Sequence, residues 1–169
     1  EFVGHLDDYG SSLYGYGHTH NFSEELFTGD SYTGIMSGEG IVYFNGKIYF
    51  TTKGDNRVWA FDFNSQVLTI LYDDSAYIDP VLTGVDNVTV SAGGSLFVAE
   101  DGGNMQIVVI ASDGAIYPFL ELEGHDKSEI AGVAFSPDGS RLYFSSQRGR
   151  TGDDLDGLTF EIRGPFQLR

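Results

Sequence analysis

Four oxygen-bearing side chains stand out because each one opens or closes an apolar stretch of the chain. Glu39, Asp86 and Asn87 come just before apolar segments, and Glu100 follows the apolar run at 96–99. A carboxylate at the end of an apolar strand needs a counter-charge, which a metal ion can supply. Carboxylate and amide oxygens suit Ca²⁺, which takes about six to eight oxygen ligands. The alternative is that these side chains cap turns or accept hydrogen bonds from backbone amides.

Catalysis on an anionic substrate at such a metal would also need positive charge close by. Lys53 and Arg148 are the best-placed candidates for this catalytic role, ahead of Arg57 and Arg150. The two histidines of the Gly-His-Thr-His segment at 17–20 have a spacing that metal sites use, but no third ligand accompanies them. The sequence contains no GxSxG motif, which argues against serine hydrolase chemistry.

The elements that must position these side chains form a repeat. Each unit has an apolar strand, a tight turn and a second apolar strand, and the units lie at 39–50, 86–98 and 131–144. Their turns carry Asn-Gly, Gly-Gly and Pro-Asp-Gly, which are hairpin sequences, at 45–46, 92–94 and 137–139. Equivalent second-strand positions are Ile48, Leu96 and Leu142, at a spacing of 48 and then 46 residues. That period is close to the roughly 40–50 residues of a four-stranded propeller blade.

Two of the three units carry a carboxylate at the same place. Glu39 and Asp86 stand four residues before the matching residues Tyr43 and Val90, and the third unit has Ala131 there. In a propeller, the innermost strands line a central channel, and the starts of these strands point to one mouth of it. The repeat therefore predicts carboxylates from neighbouring blades at one mouth of the channel.

The remaining segments complete an all-β prediction of consecutive four-stranded antiparallel sheets. Further strands are expected at 57–62, 66–72, 106–111, 115–120 and 158–162. Helical periodicity is weak, with one short turn expected at 23–27, and a β-sandwich is the main alternative fold. We expect residues 1–36 to end a preceding blade or connecting segment, and residues 37–169 to form about three blades of a β-propeller.

Three blades cannot close a propeller, which needs about four to eight. We therefore expect the missing blades to lie upstream or on a second chain, which makes them the principal predicted partner. The sequence opens on Glu1 instead of Met, which indicates a processed chain or a fragment.

The composition is strongly acidic, with 25 acidic against 9 basic residues and a net charge of −16. Such a surface repels phosphate backbones, so nucleic acid is a poor partner, whereas divalent cations are attracted. Cysteine is absent, which excludes disulfides, thiolate zinc sites and a cysteine nucleophile within this segment. No apolar run in the sequence is long enough to span a membrane.

Several strings resemble the C-terminal half of PhoX-family proteins. In chain order they are GEGIVYF (38–44), TTKGDNRVWAFD (51–62), GVDNVTVS (84–91), FVAEDGGNMQIVVI (97–110), SEIAGVAFSPDGSRLYFSSQRG (128–149) and GLTFEIRGPF (157–166). This resemblance implies a six-bladed propeller, twin-arginine export to a periplasmic or extracellular location, and dependence on calcium. In the best-known members it also implies an iron-containing site that hydrolyses phosphate monoesters.

The resemblance places Glu39 and Glu100 at channel-lining metal-ligand positions, with Asp86 and Asn87 beside them. Phosphatase members carry an arginine two residues before the second of these glutamates, where this chain has Val98. Their iron-ligating cysteine belongs to the N-terminal half of the family. The calcium site therefore carries over better than the phosphatase chemistry, and an inactive relative is an alternative.

Two further function classes stay open at this point. A more distant resemblance to gluconolactonase-like propellers, which also begin a first strand with Gly-Glu-Gly as at 38–40, implies a calcium-assisted lactone or ester hydrolase. Lactonase action would need a metal-bound water and a carboxylate base, with little requirement for arginine. A non-enzymatic extracellular propeller, fastened by calcium and used for assembly or surface binding, is the third class.

Overall fold

The computed structural model describes residues 38–166 of this chain. Within that range the chain forms eleven β-strands and a single turn of 3-10 helix, Asp74–Ala76. The predicted segment at 1–36, with its helical turn at 23–27, lies outside these residues. No helix in the described range is long and apolar enough to cross a membrane.

The strands form three antiparallel sheets in chain order, which we call the first, second and third blades. The first contains β1 (Gly38–Phe44), β2 (Lys47–Thr52), β3 (Arg57–Asp62) and β4 (Val67–Asp73). The second contains β5 (Val85–Val90), β6 (Leu96–Glu100), β7 (Gln106–Ile110) and β8 (Ile116–Glu121). The third contains β9 (Ile130–Phe135), β10 (Arg141–Ser146) and β11 (Leu158–Arg163). Because strands adjacent along the chain are also adjacent in each sheet, the all-β prediction of consecutive blades is confirmed.

The third blade differs from the prediction, since it has three strands in the described range instead of four. After β11 the Gly164 amide donates to the Ser140 carbonyl at 2.9 Å. Phe166 is then buried, 5% exposed, in the core between the second and third blades. Within the described residues the chain therefore leaves the sheet here and inserts an aromatic side chain into the core.

The three predicted hairpin turns are confirmed. Each predicted turn joins the first and second strands of its blade, at 45–46, 92–94 and 137–139. In the first turn, Asn45 and Gly46 both have positive φ, at 49° and 82°. A two-residue type I′ turn requires this backbone, and Asn-Gly adopts it at little cost.

Each innermost strand is irregular near its start. The pairing register shifts at 38–41 on β1, at 85–88 on β5 and, on the third blade, opposite 143–145. Such bulges bend a strand and redirect its side chains, and they often occur next to functional sites. The bulges of the first two blades contain the predicted ligands Glu39, Asp86 and Asn87.

The hydrophobic core lies between successive blades. One buried cluster, which includes Val58 and Val98, joins the first blade to the second. Another, which includes Phe97 and Phe144, joins the second blade to the third. Strand β5 packs against both β1 and β9, so the innermost strands are neighbours. Since a sandwich has two facing sheets and these residues form three successive sheets, the arrangement is that of propeller blades.

Candidate metal centre

The close approach of β1 and β5 fixes the backbone around Asp86. A side chain at Gly40 would place its Cβ only 2.5 Å from the Val88 nitrogen, so glycine is required where the two strands meet. The buried Thr51 hydroxyl donates to the Asp86 carbonyl and accepts from the Gly40 amide at 2.8 Å. The first blade therefore holds the backbone of Asp86 through a direct hydrogen bond from Thr51.

Three carboxylates converge at this end of the innermost strands. Asp86 on β5, Asp101 directly after β6 and Glu129 directly before β9 each offer one oxygen, and these oxygens lie within 4.8 Å of one another. We call these three residues the carboxylate cluster. Two members come from the second blade and one from the third, so the cluster depends on the packing of β5 against β9.

The electrostatics of the cluster favour a bound cation. Asp86 is 9% exposed, and burial raises its pKa, with the Lys53 ammonium acting in the opposite direction. Asp101 and Glu129 retain 19% and 15% exposure of their side chains, so the cluster is partly open to solvent. The three carboxylates carry a formal charge of −3, of which a lysine and an arginine side chain balance two. Their oxygens are open on one side to water and could hold a hard divalent cation, which would complete its shell with water.

Both predicted basic residues lie at the cluster. The Lys53 ammonium forms an ion pair with Asp101, and an Arg148 guanidinium nitrogen lies 3.4 Å from a Glu129 oxygen. Lys53 follows β2 of the first blade and Arg148 follows β10 of the third, so the two cations come from the blades on either side of the second. Their side chains are 40% and 33% exposed, which leaves them within reach of a ligand from solvent.

Glu39 and Asn87, which the sequence predicts as ligands, lie beside the cluster. Glu39 is exposed, and partial burial first, then the charge of Asp86, raises its pKa. The Asn87 amide donates to an Asp86 oxygen at 2.7 Å and accepts from the Gly132 amide at 2.6 Å. Asn87 therefore orients Asp86 and links the second blade to the third.

Glu100, the remaining predicted ligand, is not brought into the cluster. Its carboxylate is fully buried, accepts from the Thr83 and Gln106 amides at 2.6 and 3.2 Å, and has a pKa raised by burial. The cause is strand alternation, since successive residues point to opposite sides and Asp101 takes the side of the cluster. In the other blades the matching strand-end positions are Thr52 and Ser146, which are also fully buried and hydrogen-bonded.

The sequence prediction missed Asp101 and Glu129 as members of the cluster. Asp101 alone suggested a turn residue, although it forms an acidic pair with Glu100. Glu129 lies two residues before Ala131, the residue that the repeat matches with Glu39 and Asp86. The available signal was the carboxylate just before β9, because a residue that precedes a first strand reaches the same mouth as one at its start.

The sequence itself matches a known family. The family model described as "Alkaline phosphatase PhoX" matches residues 27–149 of this chain. The chain belongs to the PhoX family. The match confirms the resemblance noted in the sequence, and it includes the carboxylate cluster and both basic residues. Among curated proteins, the comparison found no significant match.

Solved structures show the same fold at low sequence identity. A structural genomics protein of unknown function from Bacteroides thetaiotaomicron has a TM-score of 0.55 and 16% identity, over 77% of this PhoX-family chain and 30% of its own. A luciferin-regenerating enzyme has a TM-score of 0.55 and 19% identity, over 76% of this chain and 45% of its own. The chain spans less than half the length of either, so these likenesses support the propeller fold alone.

Proposed function

We propose that this PhoX-family chain contributes the metal site and the phosphate-binding cations of an exported, calcium-dependent hydrolase of phosphate monoesters. In this proposal Asp86, Asp101 and Glu129 hold the metal, with Glu39 beside them. Lys53 and Arg148 bind the phosphate group. The single observation that supports the proposal best is the pairing of each cation with a different carboxylate of the cluster.

The donor set explains why calcium is the proposed metal. The described residues at the cluster offer carboxylate oxygens without thiolate or imidazole, a set that suits a hard cation better than zinc or copper. When bound, the ion would polarise a phosphoryl oxygen and neutralise charge that develops in the transition state. The iron implied by the family resemblance has no cysteine ligand in this chain.

The two cations then have a direct role toward the substrate. A phosphate monoester carries about two negative charges near neutral pH, and the cluster alone would repel it. A metal ion bound by Asp101 and Glu129 would replace Lys53 and Arg148 as the partner of these carboxylates. The two basic side chains could then bind the phosphate oxygens. Arg148 can bind two of these oxygens through its planar guanidinium, and Lys53 supplies a point charge.

This arrangement replaces the arginine that the resemblance leads one to expect. Val98 occupies that position, and its side chain is fully buried in the core between the first and second blades. A charged group there would lie in an apolar environment away from the cluster, at a high desolvation cost. The positive charge is instead supplied by residues that follow the second strands of the neighbouring blades.

The test measures phosphate release from p-nitrophenyl phosphate by the purified full protein. We expect EDTA to abolish turnover, calcium to restore it, and Asp101→Asn to prevent that restoration. Lys53→Gln and Arg148→Gln should raise KM by about tenfold or more, because each removes a charge-assisted contact with phosphate. Arg141→Gln is the matched control, since Arg141 pairs with Glu161 at the opposite end of β10.

Two outcomes would overturn the proposal. Turnover that is unaffected by EDTA would show that the cluster does not hold an essential metal. Calcium-dependent hydrolysis of an aldonolactone without phosphate release, unchanged in the Lys53 and Arg148 variants, would instead favour the lactonase alternative.

A further inference from the structure

A line of buried polar side chains runs behind the carboxylate cluster in the third blade. His125, Ser128 and Ser146 are 2%, 3% and 0% exposed. A His125 ring nitrogen, Nδ1, lies 2.8 Å from the Ser146 hydroxyl, which donates to the Ser128 hydroxyl at 2.9 Å. The line ends at Glu129, because the Ser128 hydroxyl donates to the Glu129 carbonyl at 3.4 Å.

The direction of this line follows from the hydrogen bond between Ser146 and Ser128. A serine hydroxyl has one proton to donate, and that of Ser146 is directed to Ser128. The contact between His125 and Ser146 therefore requires the imidazole to carry its proton on Nδ1 and to donate it. Every hydrogen bond then points the same way, from His125 through two serines to the backbone of Glu129.

The direction and the burial together exclude a nucleophilic role for these serines. A serine nucleophile donates its proton to an acceptor nitrogen of histidine, whereas here the nitrogen is the donor. Both hydroxyls are also closed off from solvent. The His125–Ser146 pair therefore serves another purpose than acyl transfer.

Ser128 also lies between the backbones of Glu129 and Arg148, whose side chains form an ion pair. Its hydroxyl accepts from the Arg148 amide at 2.8 Å, while the Glu129 carbonyl accepts from the Gln147 amide at 3.0 Å. The backbones of Glu129 and Arg148 are thus held on either side of one buried hydroxyl. Their side chains, whose charged groups lie 3.4 Å apart, belong to the site proposed above.

We infer that His125 is a positioning residue that orients Glu129 and Arg148 through Ser146 and Ser128. The inference rests on the proposed function, because it assigns His125 a role toward the metal ligand and the phosphate-binding cation of that site. Residues that orient metal ligands typically change metal affinity by about 10–100-fold when they are replaced. His125 itself touches neither metal nor substrate.

The test compares two His125 variants in the full protein. His125→Phe keeps an aromatic ring against Phe160, which His125 contacts edge-on at 5.9 Å, but it removes the donor. His125→Asn loses the ring and keeps an amide N–H near the position of Nδ1. Phe144→Leu is the control, because Phe144 stacks on the same Phe160 at 5.1 Å and takes no part in the hydrogen-bonded line.

The readouts are the calcium Kd by isothermal titration calorimetry, kcat and KM for p-nitrophenyl phosphate, and the melting temperature. We expect His125→Phe to weaken calcium binding by about tenfold. His125→Asn should recover most of that affinity, and Phe144→Leu should keep the wild-type Kd although it melts at a lower temperature. In the unsubstituted protein, ¹⁵N NMR should show His125 protonated at Nδ1.

The possible failures are distinguishable. If the unsubstituted protein binds calcium and His125→Phe binds it equally well, or Phe144→Leu weakens binding as much, the positioning role is wrong. A proton on Nε2 alone would also overturn it, because the line of donors would lose its origin. If the unsubstituted protein binds no calcium, the proposed function fails and this inference fails with it.

Discussion

Glu100 and Asp101 follow one another at the end of β6, yet their carboxylates meet different kinds of partner. Glu100 is fully buried and accepts hydrogen bonds from two backbone amides, those of Thr83 and Gln106. Asp101 is partly exposed, pairs with Lys53 and lies within 4.8 Å of two other carboxylates. Two consecutive residues thus carry carboxylates with different partners. Backbone donors satisfy the carboxylate of Glu100, whereas that of Asp101 needs a cation.

The difference shows what makes a buried acid available to a metal. The backbone amides around Glu100 stabilise its negative charge, and these hydrogen bonds hold the neighbouring segments against β6. Glu100 therefore acts as part of the fold. The carboxylate cluster has like charges facing each other, and its compensating cations come from the partly exposed side chains of Lys53 and Arg148. Only the second arrangement leaves negative charge that an incoming ion can neutralise.

The largest expected effect is that of Glu100→Ala on stability. The substitution leaves the amides of Thr83 and Gln106 without their acceptor in a buried region, and each unsatisfied donor is costly. We expect the free energy of unfolding to fall by about 3 kcal/mol in the presence of EDTA. Urea denaturation of the calcium-free protein measures this loss.

A matched control shows whether the loss is specific to the buried carboxylate. Glu121→Ala removes an exposed carboxylate whose partner is the Gln106 side chain, and it should change stability little. The proposed difference between Glu100 and Asp101 is wrong if Glu100→Ala leaves the calcium-free stability intact but abolishes the response to calcium. Glu100 would then be a ligand, as the family resemblance implies.

Calcium should produce the next largest effect, and through the carboxylate cluster. At a free concentration ten times its Kd, a ligand that binds only the folded form adds about 1.4 kcal/mol to the free energy of unfolding. We expect Asp101→Asn to remove most of this gain while it leaves the calcium-free stability nearly unchanged. Thermal melts over a calcium series check both statements, and a gain that survives in the variant would contradict the role of the cluster.

A smaller effect concerns pH, where the sign follows from burial. Burial raises the pKa of Asp86, so the folded form binds this proton more tightly than the unfolded chain does. As pH falls through this raised value toward the ordinary value of about 4, Asp86 adds stability to the calcium-free protein. Asp62 and Asp138 have lowered pKa values and act in the opposite direction, so the prediction concerns a difference between variants.

The measurement compares the unsubstituted protein with Asp86→Asn on acidification from neutral pH. Without calcium, the unsubstituted protein should gain stability relative to the variant, because only it can bind the extra proton. With saturating calcium the relation should reverse, since protonation of Asp86 then competes with the metal. If the stabilities of the two proteins change in parallel with pH in the absence of calcium, the pKa of Asp86 is not raised in the folded form.

The sequence predicted the blades well because hairpin chemistry and strand alternation are local. Asn45-Gly46 adopts its turn from its own backbone preferences, and the period of the second strands follows from the length of a blade. The buried position of Phe166 after β11 was not predictable, because it depends on packing against Phe97 and Phe135. That packing belongs to residues distant in the sequence.

The candidate site was only partly predictable for a related reason. The repeat located Asp86, and positive charge near the predicted strand ends indicated Lys53 and Arg148. Which of Glu100 and Asp101 faces the cluster depends on the side of the sheet that each residue takes where β6 ends, and the periodic pattern of this apolar strand does not reveal it. Glu129 belongs to the cluster only because β9 packs against β5.

The smallest expected effect belongs to Lys53, and it distinguishes the two functions of a cation at this site. Lys53 pairs with Asp101, so calcium must compete with the ammonium for that carboxylate. Because partly exposed ion pairs contribute about 0.2–1 kcal/mol, Lys53→Gln should tighten calcium binding by only about threefold. The same variant should bind the phosphate ester more weakly, as its raised KM would show.

An ammonium that serves only as a structural counter-ion would give the first change without the second. If Lys53→Gln instead weakens calcium binding, Lys53 and the metal do not compete for Asp101, and the ion pair supports the cluster from outside.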